Sequence, residues 1–222
     1  MCKLPKKIHQ IWIGDKQMPS KFEGFCSDIK AMHEKLGYEY KLWNDDCLEK
    51  YKDDIFISNY LKKQDKVPWA FICDRLRLLI LRDEGGIYLD VDCEIVKSFD
   101  NILKELSDNI SFFCGARSHV QALVTTGVLF DVAVIGSTKN SRIVDLILNS
   151  YIKNVMHNAT LHSKIILENI GPDVAIFNYE KFYDTYISDK TIVLHEPHHL
   201  GSWYSEPYQN WGGQSTHKIK LN

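Results

Sequence analysis

The sequence predicts a single α/β domain with a mostly parallel central sheet flanked by helices. Strand and helix patterns alternate from the start of the chain, which is typical of α/β sheets. An apolar helix pattern over 70–84 ends at two glycines and leads directly into an apolar strand pattern. No linker, internal repeat or low-complexity tract divides the 222 residues, so 1–222 is interpreted as one domain.

Periodicity and helix punctuation place the individual elements. Residues 8–13 and 38–43 are predicted strands. The predicted helix between them begins at Pro19 and ends at Gly37. The tail from Glu196 onward is rich in His, Trp, Tyr and Gly and is predicted to be a loop. The remaining predicted strands cover 87–92, 110–115, 128–136 and 192–194. The remaining predicted helices are a short one capped by Asn44, one over 143–152 capped by Ser141, and one over 161–170.

Composition excludes several classes of protein. A net charge of -2 and a pI of about 6.5 disfavour a basic nucleic-acid-binding protein. No apolar run approaches the ~18 residues of a membrane-spanning helix, and the apolar stretch after Lys7 is too short for a signal peptide. The six cysteines form no C-x-x-C pair, which favours reduced thiols and a cytosolic chain.

The strongest chemical signal is a pair of aspartates at the end of a predicted strand. Side chains alternate along a strand, so Tyr88, Asp90 and Asp92 share one face. Two neighbouring carboxylates repel each other and favour a cation between them. Carboxylate oxygens suit Mg²⁺ or Mn²⁺, and ligands of open α/β sheets bind at the carboxyl ends of strands. The alternative is that both aspartates are merely solvated strand-end charges.

A second signal lies on the helix that precedes this strand. Asp74 and Arg77 are three residues apart, which places them on one helix face. The Gly85-Gly86 turn then returns the chain into the acidic strand. The fork of an arginine binds phosphate in bidentate fashion, although a surface ion pair is the competing interpretation.

Together these motifs resemble glycosyltransferase family 32 and other DXD sugar-binding glycosyltransferases. That group includes yeast-type mannosyltransferases, bacterial capsule and lipopolysaccharide transferases and, more distantly, the glucosylating domains of clostridial toxins. The resemblance rests on Asp74-x-x-Arg77, Gly85-Gly86, Asp90-x-Asp92, the opening Ile8–Gly14, Gly171-Pro172, and His198-His199 followed by Ser202-Trp203.

The resemblance implies a GT-A-type nucleotide-diphospho-sugar transferase domain with a C-terminal active-site loop at about 195–213. It implies that Trp12 stacks on the donor base, and base stacking is worth ~1–3 kcal/mol. It also implies that Asp92, with Asp90 and His199, binds Mn²⁺ or Mg²⁺, and the sequence does not distinguish His199 from the adjacent His198 in this role. The residues expected to act in catalysis are Arg77, Asp90 and Asp92, and those expected to bind the donor are Trp12, Asp74, Arg77, Asp90, Asp131, Ser202 and Trp203.

The predicted function is transfer of a sugar from a nucleotide-sugar donor to a hydroxyl of a growing glycan or a glycolipid. The resemblance favours UDP-sugars, leaves GDP-sugars open, and implies retention of configuration. Family members anchored in the Golgi carry an N-terminal membrane helix, and the lack of such a pattern here leads us to expect a bacterial or viral protein in the cytoplasm or peripheral at a membrane. The alternatives are a nucleotidyltransferase or phosphohydrolase that uses the same acidic pair, and a non-catalytic carbohydrate-binding module.

Overall fold

A six-stranded sheet forms the centre of the computed structural model, which describes residues 4–14, 16–63, 69–117, 129–151, 158–183 and 187–195. The strands follow the order β2-β1-β3-β6-β5-β7. All of them run in one direction except β6, which is antiparallel to both of its neighbours. The strands are β1 (Lys7–Ile11), β2 (Glu39–Trp43), β3 (Gly86–Leu89), β5 (Phe112–Ala116), β6 (Phe130–Ser137) and β7 (Val174–Phe177).

Two further strands, seven α-helices and one 3₁₀ helix (Tyr179–Lys181) complete the described part of the chain. Strands β4 (Cys93–Ile95) and β8 (Val193–His195) pair antiparallel to form a separate two-stranded ribbon. None of the helices in the described ranges is long and apolar enough to cross a membrane. The helices are α1 (Ser20–Glu34), α2 (Asp46–Lys50), α3 (Ile55–Lys63), α4 (Trp69–Glu84), α5 (Asp100–Leu103), α6 (Arg142–Tyr151) and α7 (Asn158–Glu168).

The predicted α/β architecture with a mostly parallel sheet is confirmed. Both faces of the sheet are covered, which explains the near-continuous apolar sequence of its central strands. In β3, Ile87 and Leu89 belong to one buried cluster, whereas Tyr88 belongs to another on the opposite face together with Leu78 of α4. The five cysteines of the described residues are free thiols.

The acidic strand is shorter than its sequence predicts. It ends at Leu89, because the chain turns directly after Asp90. The Asp90 N–H donates to the carbonyl of Ala133 on β6, and the Cys93 N–H donates back to the Asp90 carbonyl. Asp92 therefore lies in a tight turn between β3 and β4. Strands β4 and β7 and helices α3 and α5 were not predicted.

The glycine pair between α4 and β3 is required by backbone geometry. Gly85 and Gly86 have φ angles of +64° and +107°, which L-residues with a side chain rarely adopt. A Cβ on Gly86 would lie 2.7 Å from the Lys7 carbonyl oxygen of the neighbouring strand. This turn lets the helix lead straight into the central strand that ends at the acidic pair.

We expect Gly86→Ala to lower the free energy of unfolding by at least about 1–3 kcal/mol, because it adds backbone strain as well as a clash. Gly24→Ala is the matched control, since Gly24 lies on the exposed side of α1 and an added Cβ would meet nothing within 4 Å. That change should be neutral or stabilising. Urea unfolding measures the free energy of unfolding of both variants. Equal stability of the two would contradict the conclusion that backbone geometry requires a glycine at position 86.

Candidate functional site

Topology gathers the acidic residues at one edge of the sheet. Asp90 follows the carboxyl end of β3. Strand β6 runs in the opposite direction, so its first residues reach the same edge. Asp131 lies there, opposite Gly115 at the carboxyl end of β5. This is the edge where open α/β sheets bind their ligands.

Arg77 is the centre of a buried ionic cluster. The residue is only 3% exposed, and its Nη2 lies 2.8 Å from Asp74 Oδ1 and 3.2 Å from Asp90 Oδ1. Its Nη1 donates to the Val132 carbonyl at 2.7 Å. Burial opposes the charge, but Asp90, Tyr88 and Asp74 outweigh it and raise the pKa of Arg77. The surface ion pair considered for Asp74 and Arg77 is therefore not what the structure shows.

Tyr88 contacts both Asp90 and Arg77 of this cluster. Its hydroxyl donates to Asp90 Oδ1 at 2.6 Å, and the Arg77 guanidinium lies 4.7 Å from the centre of its ring. The alternation of β3 predicts that Tyr88 shares a face with Asp90, but its role in the cluster does not follow from the sequence. Burial is the main cause that raises the pKa of Asp90 to about 6, against the opposing effect of Arg77.

Asp92 lies beside this cluster in a different environment. It is 5% exposed, and its Oδ1 has no hydrogen-bond partner among the described residues. His195 Nε2 lies 3.5 Å from that oxygen, beyond the usual range for a hydrogen bond of this kind. Burial lowers the pKa of His195, but the carboxylates of Asp92, Asp131 and Asp90 outweigh burial and raise it to about 9.

Asp131 is held by a partner that the sequence did not reveal. Arg117 contacts Asp131 Oδ2 through Nε at 2.8 Å and through Nη2 at 2.6 Å. Asp131 Oδ1 accepts the Ala133 N–H at 3.0 Å. Burial would raise the pKa of Asp131, but Arg117 and His195 overcome that effect and the pKa is lowered.

Trp12 follows the end of β1 and is half-buried. Its indole N–H donates to the Lys16 carbonyl at 2.8 Å. The ring packs against an apolar cluster that includes Val91, the residue between the two aspartates, and Phe22 of α1. Trp12 is thereby placed beside the turn that carries Asp90 and Asp92.

A hydrogen-bonded chain crosses the sheet beneath this turn. The Tyr40 hydroxyl donates to Gln10 Oε1 at 2.8 Å, and Gln10 Nε2 donates to the Asp90 carbonyl at 3.2 Å. Gln10 is fully buried. The only sequence feature that points to these hydrogen bonds is a polar residue, Gln10, inside an apolar strand.

The structure thus joins Asp74, Arg77 and Asp90 directly and places Asp92 next to them. Asp131 is at the same edge, paired with Arg117. The predicted residues His199, Ser202 and Trp203, and the loop after residue 195, lie outside the described residues. The neighbours that sequence reasoning missed are His195, Cys93, Arg117, Gln10 and Tyr40.

Comparison with known proteins points to one family. Residues 19–108 match the glycosyltransferase sugar-binding region containing a DXD motif. An uncharacterized glycosyltransferase of Acanthamoeba polyphaga mimivirus is 31% identical over 153 residues, which are 66% of this chain and 55% of that protein. Inositol phosphoceramide mannosyltransferase 1 of Schizosaccharomyces pombe is 26% identical over 107 residues, 47% of this chain and 33% of that protein. The chain spans about half of the first relative and a third of the second.

A solved structure supports the fold. The PaToxG glycosyltransferase superimposes with a TM-score of 0.51 over 74% of this chain and 69% of that chain, at 23% identity. The architecture expected from the motifs, a GT-A-type sheet with flanking helices, is confirmed. The matched region contains Asp74, Arg77, Asp90 and Asp92. Through it, the chain is similar to the glycosyltransferases whose sugar-binding region contains a DXD motif.

Proposed function

We propose that the protein is a metal-dependent glycosyltransferase that moves a sugar from a nucleotide-sugar donor to a hydroxyl acceptor. UDP-sugars are the preferred donors, GDP-sugars are the alternative, and retention of configuration follows from the family resemblance. One observation carries the proposal: Asp90 and Asp92 lie together at the ligand-binding edge of the sheet, in the region that matches the DXD family. Arg77 holds the first aspartate, and the second keeps a buried oxygen without a hydrogen bond.

The metal-ligating side chains around Asp92 fit a divalent cation. Asp92, Cys93 and His195 offer ligand atoms that all lie within 4.8 Å of one another. A buried carboxylate oxygen without a partner is costly, and a cation would satisfy it. When bound, Mn²⁺ or Mg²⁺ supplies positive charge that stabilises the departing diphosphate.

The protein's own groups hold and orient the donor. Asp90 is fixed by Tyr88 and Arg77, so it presents a carboxylate to a sugar or ribose hydroxyl. Arg77 supplies a permanent positive charge beside the diphosphate. Asp74 and Asp131, both held by arginines, are proposed to accept hydrogen bonds from the sugar. Trp12 offers an aromatic face to the base.

The two alternative functions lack support at this edge. A phosphohydrolase or nucleotidyltransferase with two metal ions needs a second set of ligands, and the described ranges contain one group of three ligating side chains. A carbohydrate-binding module has no need of an arginine buried against two carboxylates.

The acceptor is proposed to be a glycan or a glycolipid. The name of the Schizosaccharomyces pombe relative specifies inositol phosphoceramide, a lipid, as the acceptor of that protein. A cytoplasmic protein that acts at a membrane surface would fit such an acceptor, and no role with nucleic acid is proposed.

Asp92→Asn should lower Mn²⁺-dependent hydrolysis or transfer in a screen of UDP- and GDP-sugars by about 100-fold or more. The variant should still fold cooperatively, because Asn has the size of Asp and the change removes no described hydrogen bond at Oδ1, although His195 loses the carboxylate that faces it. Asp28→Asn is the control, since Asp28 is an exposed acid on α1. Full turnover in the Asp92 variant would refute the proposed metal site.

Trp12→Ala should weaken binding of UDP in the presence of Mn²⁺ by roughly 10- to 100-fold, the loss expected for one base stack. Trp12→Phe keeps an aromatic face and should retain most of the affinity. Titration calorimetry measures both constants. An unchanged Kd combined with a lower melting temperature would make Trp12 a core residue only.

Arg77→Lys should cost about 3 kcal/mol of stability and also weaken donor binding, because an ammonium cannot reach Asp74, Asp90 and the Val132 carbonyl together. Arg82→Lys on the same helix is the control, since Arg82 is only partly buried and its guanidinium pairs with the adjacent Asp83. Urea unfolding compares the two. Equal stabilities would show that the buried cluster contributes little.

A further inference from the structure

The Arg117–Asp131 ion pair lies at the edge of the sheet that carries the acidic turn. Strand β5 ends at Ala116, so Arg117 is the first residue beyond its carboxyl end. Asp131 is the register partner of Gly115, and Arg117 lies two residues beyond Gly115, which places both side chains on one face. The Arg117 N–H donates to the Leu129 carbonyl at 2.9 Å, so strand pairing fixes the position of the arginine.

The hydrogen bonds of this pair leave unused capacity mainly on the arginine. Asp131 Oδ2 accepts from Arg117 Nε at 2.8 Å and lies 2.6 Å from Nη2, and Oδ1 accepts the Ala133 N–H at 3.0 Å. A carboxylate oxygen has two lone pairs, so Oδ2 is saturated and Oδ1 can accept one more hydrogen bond. Arginine carries several further N–H donors, and Nη1 donates to none of the described residues. The guanidinium edge formed by Nη1 and Nη2 therefore retains donors for a ligand.

A comparison with Arg77 shows what such an arginine binds in this fold. Arg77 lies between two carboxylates, those of Asp74 and Asp90. Arg117 has one carboxylate partner among the described residues, Asp131, and its side chain is 13% exposed. Donors of a charged group that is this far removed from water are costly to leave without acceptors. A second carboxylate, supplied by a ligand, would complete around Arg117 the arrangement that the protein itself builds around Arg77.

Guanidinium geometry favours a carboxylate over a sugar hydroxyl at this place. The two amino groups of an arginine lie in one plane and donate in parallel, which matches the two oxygens of a carboxylate. A hydroxyl has a single oxygen and matches this fork poorly. The exocyclic carbon of a hexose, C6, carries a hydroxyl in neutral sugars and a carboxylate in hexuronic acids. A hexuronic acid therefore supplies the group that the free edge of Arg117 fits.

We propose that Arg117 binds the carboxylate of a hexuronic acid, so that the donor of this protein is a nucleotide-activated uronic acid. The inference rests on the nucleotide-sugar transfer proposed above and deepens it by naming the class of sugar. Asp131 accepts a hydroxyl of the same sugar through the remaining lone pair of Oδ1. The pair then forms one subsite that recognises a hydroxyl and a carboxylate together.

An arginine that only orients Asp131 predicts a different pattern of substrate use. Its loss would disturb the hydroxyl contact of Asp131 and slow every donor sugar by a similar factor. An arginine that binds a carboxylate affects only those donors that carry one. The ratio of kcat/KM between an acidic and a neutral donor therefore separates the two roles, because any general loss of folded protein cancels in that ratio.

The test compares donors that differ at C6 alone, in donor hydrolysis by the full chain with Mn²⁺. The pairs are UDP-glucuronic acid with UDP-glucose and UDP-galacturonic acid with UDP-galactose; if the donor screen selects guanosine, GDP-mannuronic acid and GDP-mannose replace them. The wild type should use one uronic acid donor with a kcat/KM at least about 10-fold above that of its neutral counterpart. Arg117→Gln should lower this ratio by about 10- to 100-fold, mainly through KM, which is the contribution expected of a hydrogen bond to a charged group.

Two further variants make the result specific. Arg117→Lys keeps the charge without the fork and should restore part of the ratio. Arg142→Gln is the matched control, since Arg142 is an exposed arginine of α6 that pairs with Asp173, and its ratio should equal that of the wild type. A wild-type preference for the neutral donors, or a ratio that Arg117→Gln leaves unchanged, would overturn the proposal.

The source of the carboxylate is also decided by this design. Donor hydrolysis contains no glycan acceptor, so a preference seen there belongs to the donor sugar. If a carboxylate matters only during transfer to an acidic glycan, the group belongs to the acceptor and the assignment to the donor is overturned.

Binding supplies a readout besides turnover. Titration calorimetry with Mn²⁺ should show that Arg117→Gln weakens binding of the uronic acid donor by about 10- to 100-fold and leaves binding of UDP, which has no sugar, unchanged. If neutral donors are used and uronic acid donors are not, only this inference fails. If the protein neither binds nor hydrolyses any nucleotide sugar, the proposed function fails with it.

Discussion

The guanidinium of Arg77 is the interaction on which the site depends. It joins helix α4 to the end of β3 through Asp90 and to β6 through the Val132 carbonyl. A buried charge of this kind is tolerated only when its partners are in place, because removing one leaves another charge uncompensated. The position of Asp90 is therefore fixed by the packing of helix against sheet, before any ligand binds.

The three aspartates at this edge of the sheet differ in the charged group that each one faces. Asp90 and Asp131 each face an arginine, Arg77 and Arg117 respectively. Asp92 faces His195 at a longer distance and keeps one oxygen without a hydrogen bond. Charge that remains available to a cation is thus concentrated on Asp92, while the other two carboxylates are oriented to accept hydrogen bonds.

Local patterns allowed the centre of this arrangement to be predicted from sequence. The α4 periodicity, the two glycines and the alternation of β3 were sufficient to place Asp74, Arg77 and Asp90 on one site, because all of them lie within one helix–turn–strand unit. The strand was predicted too long, since the turn at Asp90 depends on the Ala133 carbonyl of a distant strand. Arg117 and His195 were missed for the same reason: only strand pairing brings them to the edge.

The direction of β6 explains why so many distant residues meet there. A parallel β6 would place Asp131 at the opposite edge, about 20 Å away for a strand of this length. Because β6 is reversed, its first residues meet the last residues of β3, and Ala133 both accepts the Asp90 N–H and donates to Asp131. Ribbon β4–β8 then starts within three residues of that contact and returns His195 to Asp92. Reversal of one strand thus supplies the anchoring of the acidic turn, and the ribbon adds an imidazole that faces Asp92 from the other side.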